Sequence, residues 1–178
     1  DGHAKRNHVV LDQKDIITSG MTLYGGALLA DNATGDATEN TVDIRKGRVY
    51  GSVYGGYIHH AGATGNATHN EVSFTGEYVA GSIGGYRGSK TTGNIVTLGD
   101  GVTKLNYIPT VTGDICGGSR DDDITGNTLR VKTNAKANAI RNFAKVEVSF
   151  NDTVDFEKPL LELSVGSKIN WQNFTLHR

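Results

Sequence analysis

Apolar residues two positions apart recur at four places along the chain: Val42 and Ile44, Val72 and Phe74, Val96 and Leu98, Leu129 and Val131. A period of two puts both members of a pair on one face of a strand. The residues between them, Asp43, Ser73, Thr97 and Arg130, are polar and point the other way. Each pair therefore predicts a short strand with one buried and one wet face. An asparagine opens every run, at Asn40, Asn70, Asn94 and Asn127, with spacings of 30, 24 and 33. Ahead of each lies a Gly-Gly pair behind an apolar residue: Leu23-Tyr24-Gly25-Gly26, Val53-Tyr54-Gly55-Gly56, Ile83-Gly84-Gly85 and Ile115-Cys116-Gly117-Gly118. Their second glycines are 30, 29 and 33 apart. Self-similarity at a nearly fixed period is the mark of a repeat architecture.

Helix is disfavoured within the repeats, because each glycine in a helix interior costs about 1 kcal/mol relative to alanine. A second run in each copy, such as Tyr50-Gly51-Ser52-Val53-Tyr54 or Tyr78-Val79-Ala80-Gly81-Ser82-Ile83, is rich in small residues, as where another backbone passes closely or the chain bends. A β-solenoid satisfies these demands together: strands of successive copies stack in register over one apolar column. A copy of about 30 residues has enough chain for one turn of a three-sided coil. The asparagines are expected either in left-handed backbone or in a stacked ladder of side-chain hydrogen bonds. Polar segments between the Gly pair and the Asn, such as the one from Ile58 to His69, are expected to project as loops on one side of the column.

Residues 1–131 thus read as four repeats. After Lys132 the pattern changes. Residues 133–142 suggest a short helical turn or a loop. Denser runs follow, with Val146, Val148 and Phe150 on one face and Leu161, Leu163 and Val165 on another. Residues 132–178 are expected to form a C-terminal capping β element of the same domain, since an open column exposes unpaired backbone. The predicted fold is all-β.

Composition narrows the partners. The chain has 24 Gly against only two Pro, and 18 basic residues balance 19 acidic ones. No net field draws it to nucleic acid or an anionic membrane. The single Cys116 excludes an internal disulfide and a thiolate zinc cluster. No apolar run of about 20 residues could span a bilayer as a helix. The opening Asp1-Gly2-His3-Ala4 does not resemble a translation start, which suggests an excised fragment.

Residues 53–57 (Val-Tyr-Gly-Gly-Tyr), 65–72 (Gly-Asn-Ala-Thr-His-Asn-Glu-Val) and 142–146 (Asn-Phe-Ala-Lys-Val), the last followed by Leu160-Leu161, resemble the passenger repeats of bacterial autotransporter-type adhesins over most of residues 17–178. The resemblance implies a parallel β-helix displayed extracellularly on the bacterial cell surface after export through a C-terminal β-barrel, which is absent from this sequence. It implies adhesion, cell–cell association, self-association or a stalk role, with a host or bacterial surface protein or glycan as partner; the family also includes enzyme carriers, but no catalytic motif of theirs is present.

Candidate chemistry is sparse. Tyr24, Tyr54, Tyr57 and Tyr86 flank the glycine turns and could stack on sugar rings or on each other. His59 and His60, with His69 nearby in sequence, could meet a ligand or a transition metal, or be plain loop histidines. Asp121, Asp122 and Asp123 offer oxygens to Ca²⁺, without the spacing of a known calcium loop; an acidic turn is the alternative. No other cofactor is indicated. Asp43, Glu71 and Glu147 lie outward but share no motif, and neither a nucleophile elbow nor a phosphate loop occurs. A non-enzymatic surface protein is expected, with a secreted polysaccharide lyase or hydrolase as the alternative.

Overall fold

In the computed structural model, which describes residues 2–18, 20–59, 62–164 and 169–177, the Asn-led runs lie one above another as parallel strands. They are Thr41–Val49, Glu71–Phe74, Ile95–Leu98 and Thr128–Val131. Val42 stands over Val72, Val96 and Leu129, and Ile44 over Phe74, Leu98 and Val131. His8–Thr18 precedes this first stack; Ile140–Ser149 and Ile169–His177 continue it. A second stack joins the end of Thr41–Val49 to Tyr78–Val79, Thr110–Val111, Ala135–Ala137 and Leu161–Leu163. A third runs through Leu23–Leu28, Val53–Ile58, Ile83–Gly84, Ile115–Cys116 and the start of Ile140–Ser149. The protein is an all-β solenoid of about five turns, and each sequence copy supplies one of them.

Every stack contributes inward columns. Val49, Val79 and Val111 come from the second, and Val53, Ile83, Ile115 and Ile140 from the third; all are buried with the first-stack pairs in one continuous core. The period-two pattern was the residue-level trace of this column.

At the corner between the third and first stacks, a buried ladder of asparagines runs along the axis. Asn7 donates its backbone N and Nδ2 to Asn40 Oδ1 at 3.1 and 2.8 Å. Asn40 donates in the same way to Asn70 Oδ1 at 3.0 Å from both nitrogens, and Asn70 to Asn94 Oδ1 at 2.9 and 3.2 Å. Asn94 N reaches Asn127 Oδ1 at 2.9 Å. The remaining Nδ2 hydrogens go to carbonyls of the preceding excursion: Asn40 to Ala4 at 2.8 Å, Asn70 to Ala37 at 2.9 Å, Asn94 to Ala67 at 3.1 Å and Asn127 to Thr91 at 2.7 Å. Asn40, Asn70, Asn94 and Asn127 are fully buried. Of the two roles expected for these asparagines, the structure selects the ladder. Left-handed backbone falls instead on the residue before each one: Arg6, Glu39, His69, Gly93 and Gly126, with φ of 56°, 58°, 55°, 68° and 72°.

The ladder also accounts for the glycine pairs. A Cβ on Gly26 would sit 2.5 Å from Asn40 Nδ2, one on Gly56 2.3 Å from Asn70 Nδ2, and one on Gly85 2.3 Å from the Asn94 Cβ. In the first three copies the second glycine of the pair leaves room for the asparagine of the next run; in the fourth, Asn127 faces the first glycine, Gly117, and a Cβ on Gly118 would meet Thr91.

Beyond Lys132 the described residues continue the coil. Val146 lies beneath Leu129 and Val148 beneath Val131, with Phe174 and Leu176 one rung further. Residues 133–142 hold no helical turn; they contain the strand Ala135–Ala137 and the start of Ile140–Ser149. The pattern changes in sequence because the excursion between the third and first stacks shrinks to three residues, Asn142 to Ala144, and one strand serves both stacks. Asn142 adopts the left-handed conformation itself, with φ of 62°. Val165 lies outside the described residues. Insertions fall at two corners rather than one: 29–36, 62–66, 87–94 and 119–127 at the ladder corner, the first two followed by Ala37–Thr38 and Ala67–Thr68, short strands that pair in a separate parallel sheet with Ala4–Lys5, and 99–109 and 150–160 between the first and second stacks.

Replacing Asn70 by Ala removes an acceptor used twice by Asn40 and a donor used by Ala37, leaving buried backbone groups unpaired at about 1–3 kcal/mol each. The expected loss is about 3 kcal/mol of unfolding free energy, measured from urea midpoints. Asn70→Asp should fare no better, because it keeps the acceptor but buries a charge.

Candidate functional site

The third stack carries an aromatic face built by register. Tyr24 and Tyr54 are paired on successive turns. The equivalent position of the next turn is Gly84, where a Cβ would meet the Cys116 carbonyl oxygen at 2.1 Å. With no side chain there, the Tyr54 ring reaches Tyr86, two residues further on. The two rings stack with centroids 4.1 Å apart and planes 9° apart. Tyr57 lies nearly parallel to both, 5.5 Å from Tyr54 and 6.2 Å from Tyr86. Tyr24 tilts against Tyr57 at 5.0 Å. His59 closes the cluster, its Nδ1 3.3 Å from Tyr57 Oη. Tyr54, Tyr57, Tyr86 and His59 thus come together as one patch, and the rings stack on each other while remaining half-buried. His60 lies outside the described residues.

Burial pushes the Tyr54 hydroxyl up to about 12, and burial also raises Tyr86. Tyr54 and Tyr86 are therefore neutral phenols across the physiological range. Beneath it Cys116, paired in register with Gly84, is buried and its thiol is pushed up to about 12, chiefly by desolvation. A thiol so protonated is a poor nucleophile.

The other candidates disperse. Asp122 is held by the Arg120 guanidinium, which keeps it below the usual carboxylate range. Asp123 accepts from Thr125 N in its own turn at 3.2 Å, and Asp121 is exposed. Among the described residues no three His, Cys, Asp or Glu side chains converge to hold a metal, so the Asp121–Asp123 run is not gathered into a ligand set. The His69 ring packs at Gly93, where a Cβ would lie 2.7 Å from it. Asp43 is paired with Arg45 at 2.7 Å. Glu147 lies between Lys145 and Arg130, at 2.7 and 2.9 Å, whose hydrogen bonds hold it ionised. A carboxylate held low in this way cannot serve as a general acid near neutrality.

Depressions that no sequence pattern marks open around the loop 99–109, between the first and second stacks. One of them is bordered by Tyr50, Tyr78 and Tyr107, of which the first two open small-residue runs and the third follows no repeat. Tyr78 is paired in register with Arg48, and Tyr50 lies two residues further along the adjacent turn, a proximity visible only once the register is known.

Alkali tests the buried thiol and phenol together. The folded state holds both protons to about 12, whereas ordinary thiol and phenol values are 9.0 and 10.0. Between these limits the unfolded chain binds fewer protons than the fold, so stability falls as pH rises. Urea midpoints should be flat from about pH 6 to about pH 8 and decline from about pH 9 towards pH 12, and Cys116 should resist a thiol reagent at pH 8 until the chain unfolds. A midpoint that rises over the alkaline window would contradict the assignment.

No protein-family model, curated protein or solved structure matches the chain.

Proposed function

We propose that this solenoid is an extracellular passenger segment of an autotransporter-like bacterial surface protein, and that it adheres to a surface glycan or protein through the tyrosine patch rather than acting as an enzyme. The observation that carries this is the cluster of Tyr24, Tyr54, Tyr57 and Tyr86 on one side of a rigid column. Rings that brace one another lose little conformational freedom on binding, and a phenol offers both an apolar face and a hydroxyl to a partner. The column sets the patch on a stiff support, as a stalk or adhesin requires. The opposing features are weak: the outward carboxylates Asp43 and Glu147 are each tied to cations, and balanced charge favours neither nucleic acid nor membrane.

Binding of the labelled protein to a panel of surface glycans, matrix proteins and intact cells, with product analysis on each polysaccharide, tests this. Saturable binding without turnover is expected, weakened about tenfold or more when Tyr54 and Tyr57 are both replaced by Ala. Released reducing ends or unsaturated products would point to an enzyme; no saturable binding at all would leave a spacer.

A further inference from the structure

The loop 99–109 arches over the flank between the first and second stacks and is pinned there. Tyr107 Oη donates to the Thr75 carbonyl oxygen at 2.8 Å. Asp100 closes the turn by accepting from Val102 N and Thr103 N at 2.8 Å and from Thr103 Oγ1 at 2.6 Å. Three depressions open around this loop. One of about 520 Å³ lies towards the loop 150–160, walled by Lys104, Asn106, Asn134, Phe156 and Lys158. A second of about 330 Å³ includes Asp12, Asp43, Arg45, Lys46 and Leu105. A third of about 350 Å³ is formed by Arg48, Tyr50, Glu77 and Tyr78. Tyr107 borders all three, so they adjoin around this loop as an interrupted track from the turn of Asp12 to that of Asn134. From the turn of Tyr50 to that of Asn134 is three strand spacings, about 14 Å.

Two properties define what the track would take. The first is its rings. Tyr50 is 40% and Phe156 72% exposed, and Tyr78 and Tyr107 are half-buried. Tyr50 rests against Tyr78 with centroids 5.7 Å apart, and Phe156 against Phe150 at 5.9 Å. The second is that its charges nearly balance, four ion pairs standing beside Lys104, Glu157 and Asp100. Arg45 pairs with Asp43 at 2.7 Å, Lys46 with Asp12 at 3.0 Å, Arg48 with Glu77 at 2.9 Å and Lys158 with Asp155 at 2.8 Å. Paired ions still donate to and accept from hydroxyl groups, but they present no net field to an anion or a cation. Exposed rings alternating with neutral donor–acceptor pairs match a ligand with apolar faces and hydroxyl edges. We propose that this track binds a neutral oligosaccharide of several pyranose units, independently of the tyrosine patch on the third stack.

The test is calorimetric titration of the whole chain with cellohexaose, laminarihexaose and chitohexaose, with hexagalacturonate and a proline decapeptide as controls. At least one neutral hexasaccharide should bind saturably. Tyr78→Ala and Phe156→Ala should each weaken it about three- to tenfold in chains that still unfold cooperatively in urea, while Tyr78→Phe retains it and Tyr54→Ala leaves it unaltered. The proposal is overturned if none of the neutral sugars binds, if the polyanion or the peptide is preferred, if binding survives both Ala substitutions, or if it is lost in Tyr54→Ala. That last result would transfer the sugar to the tyrosine patch and so separates the two proposals.

Discussion

A buried amide side chain that donates and accepts along the axis of the coil is the interaction on which this structure rests. Asn40, Asn70, Asn94 and Asn127 each lie where the chain turns from the third stack into the first, beyond reach of water. At such a corner the backbone leaves the sheet ladder, and buried N–H and C=O groups must find partners. The ladder supplies them: each Oδ1 receives the backbone N of the turn before, and Nδ2 closes onto a carbonyl of the neighbouring excursion. A one-residue slip would break every such contact and reverse the faces of the strand that follows. The register of the valine and isoleucine columns is therefore fixed at the same corner as the amides.

From this constraint the tolerance of the rest follows. Once the corner is pinned, the excursion leading to it is free to vary, and it runs from the long loop before Asn70 to the three residues before Lys145 without disturbing the core pairing of Val42, Val72, Val96, Leu129 and Val146. Variation outside a fixed column is how a repeat fold acquires surfaces. The tyrosine patch uses a glycine at position 84 to bring rings of different turns together, and the loop 99–109 interrupts a ring-lined track between the first and second stacks. Both surfaces stand on backbone that the core already holds rigid.

Much of the fold was legible because two periodicities coincide in the sequence. Val42 with Ile44 and their counterparts report the strand, and the spacing of Asn and Gly-Gly reports the turn. The physical link between those two motifs was not legible, since Gly26 and Asn40 are far apart in sequence and meet only when the coil closes. Of the two roles open to the asparagines, left-handed backbone falls one residue earlier for a related reason: Gly93 and Gly126 mark it, but Glu39 and His69 occupy the same place with ordinary side chains. The continuation beyond Lys132 was obscured because Asn142 combines both jobs, taking the left-handed conformation and donating Nδ2 to the Gly118 carbonyl at 2.8 Å. Of the candidate site, the tyrosines beside the glycines could be named from their neighbours. The track could not, because its walls come from turns whose outward residues obey no pattern.

The dependence of the glycine pairs on the ladder can be measured directly by a double-mutant cycle on Gly26 and Asn40. The three atoms nearest to a Cβ on Gly26 all belong to Asn40, at 2.5, 2.6 and 2.7 Å. Gly26→Ala should therefore cost about 2 kcal/mol or more in the native background and close to nothing in an Asn40→Ala background, a coupling of about 1–3 kcal/mol read from urea unfolding of the four proteins. Additive costs would contradict the account, because they would mean that the glycine is required for a reason other than the asparagine it faces.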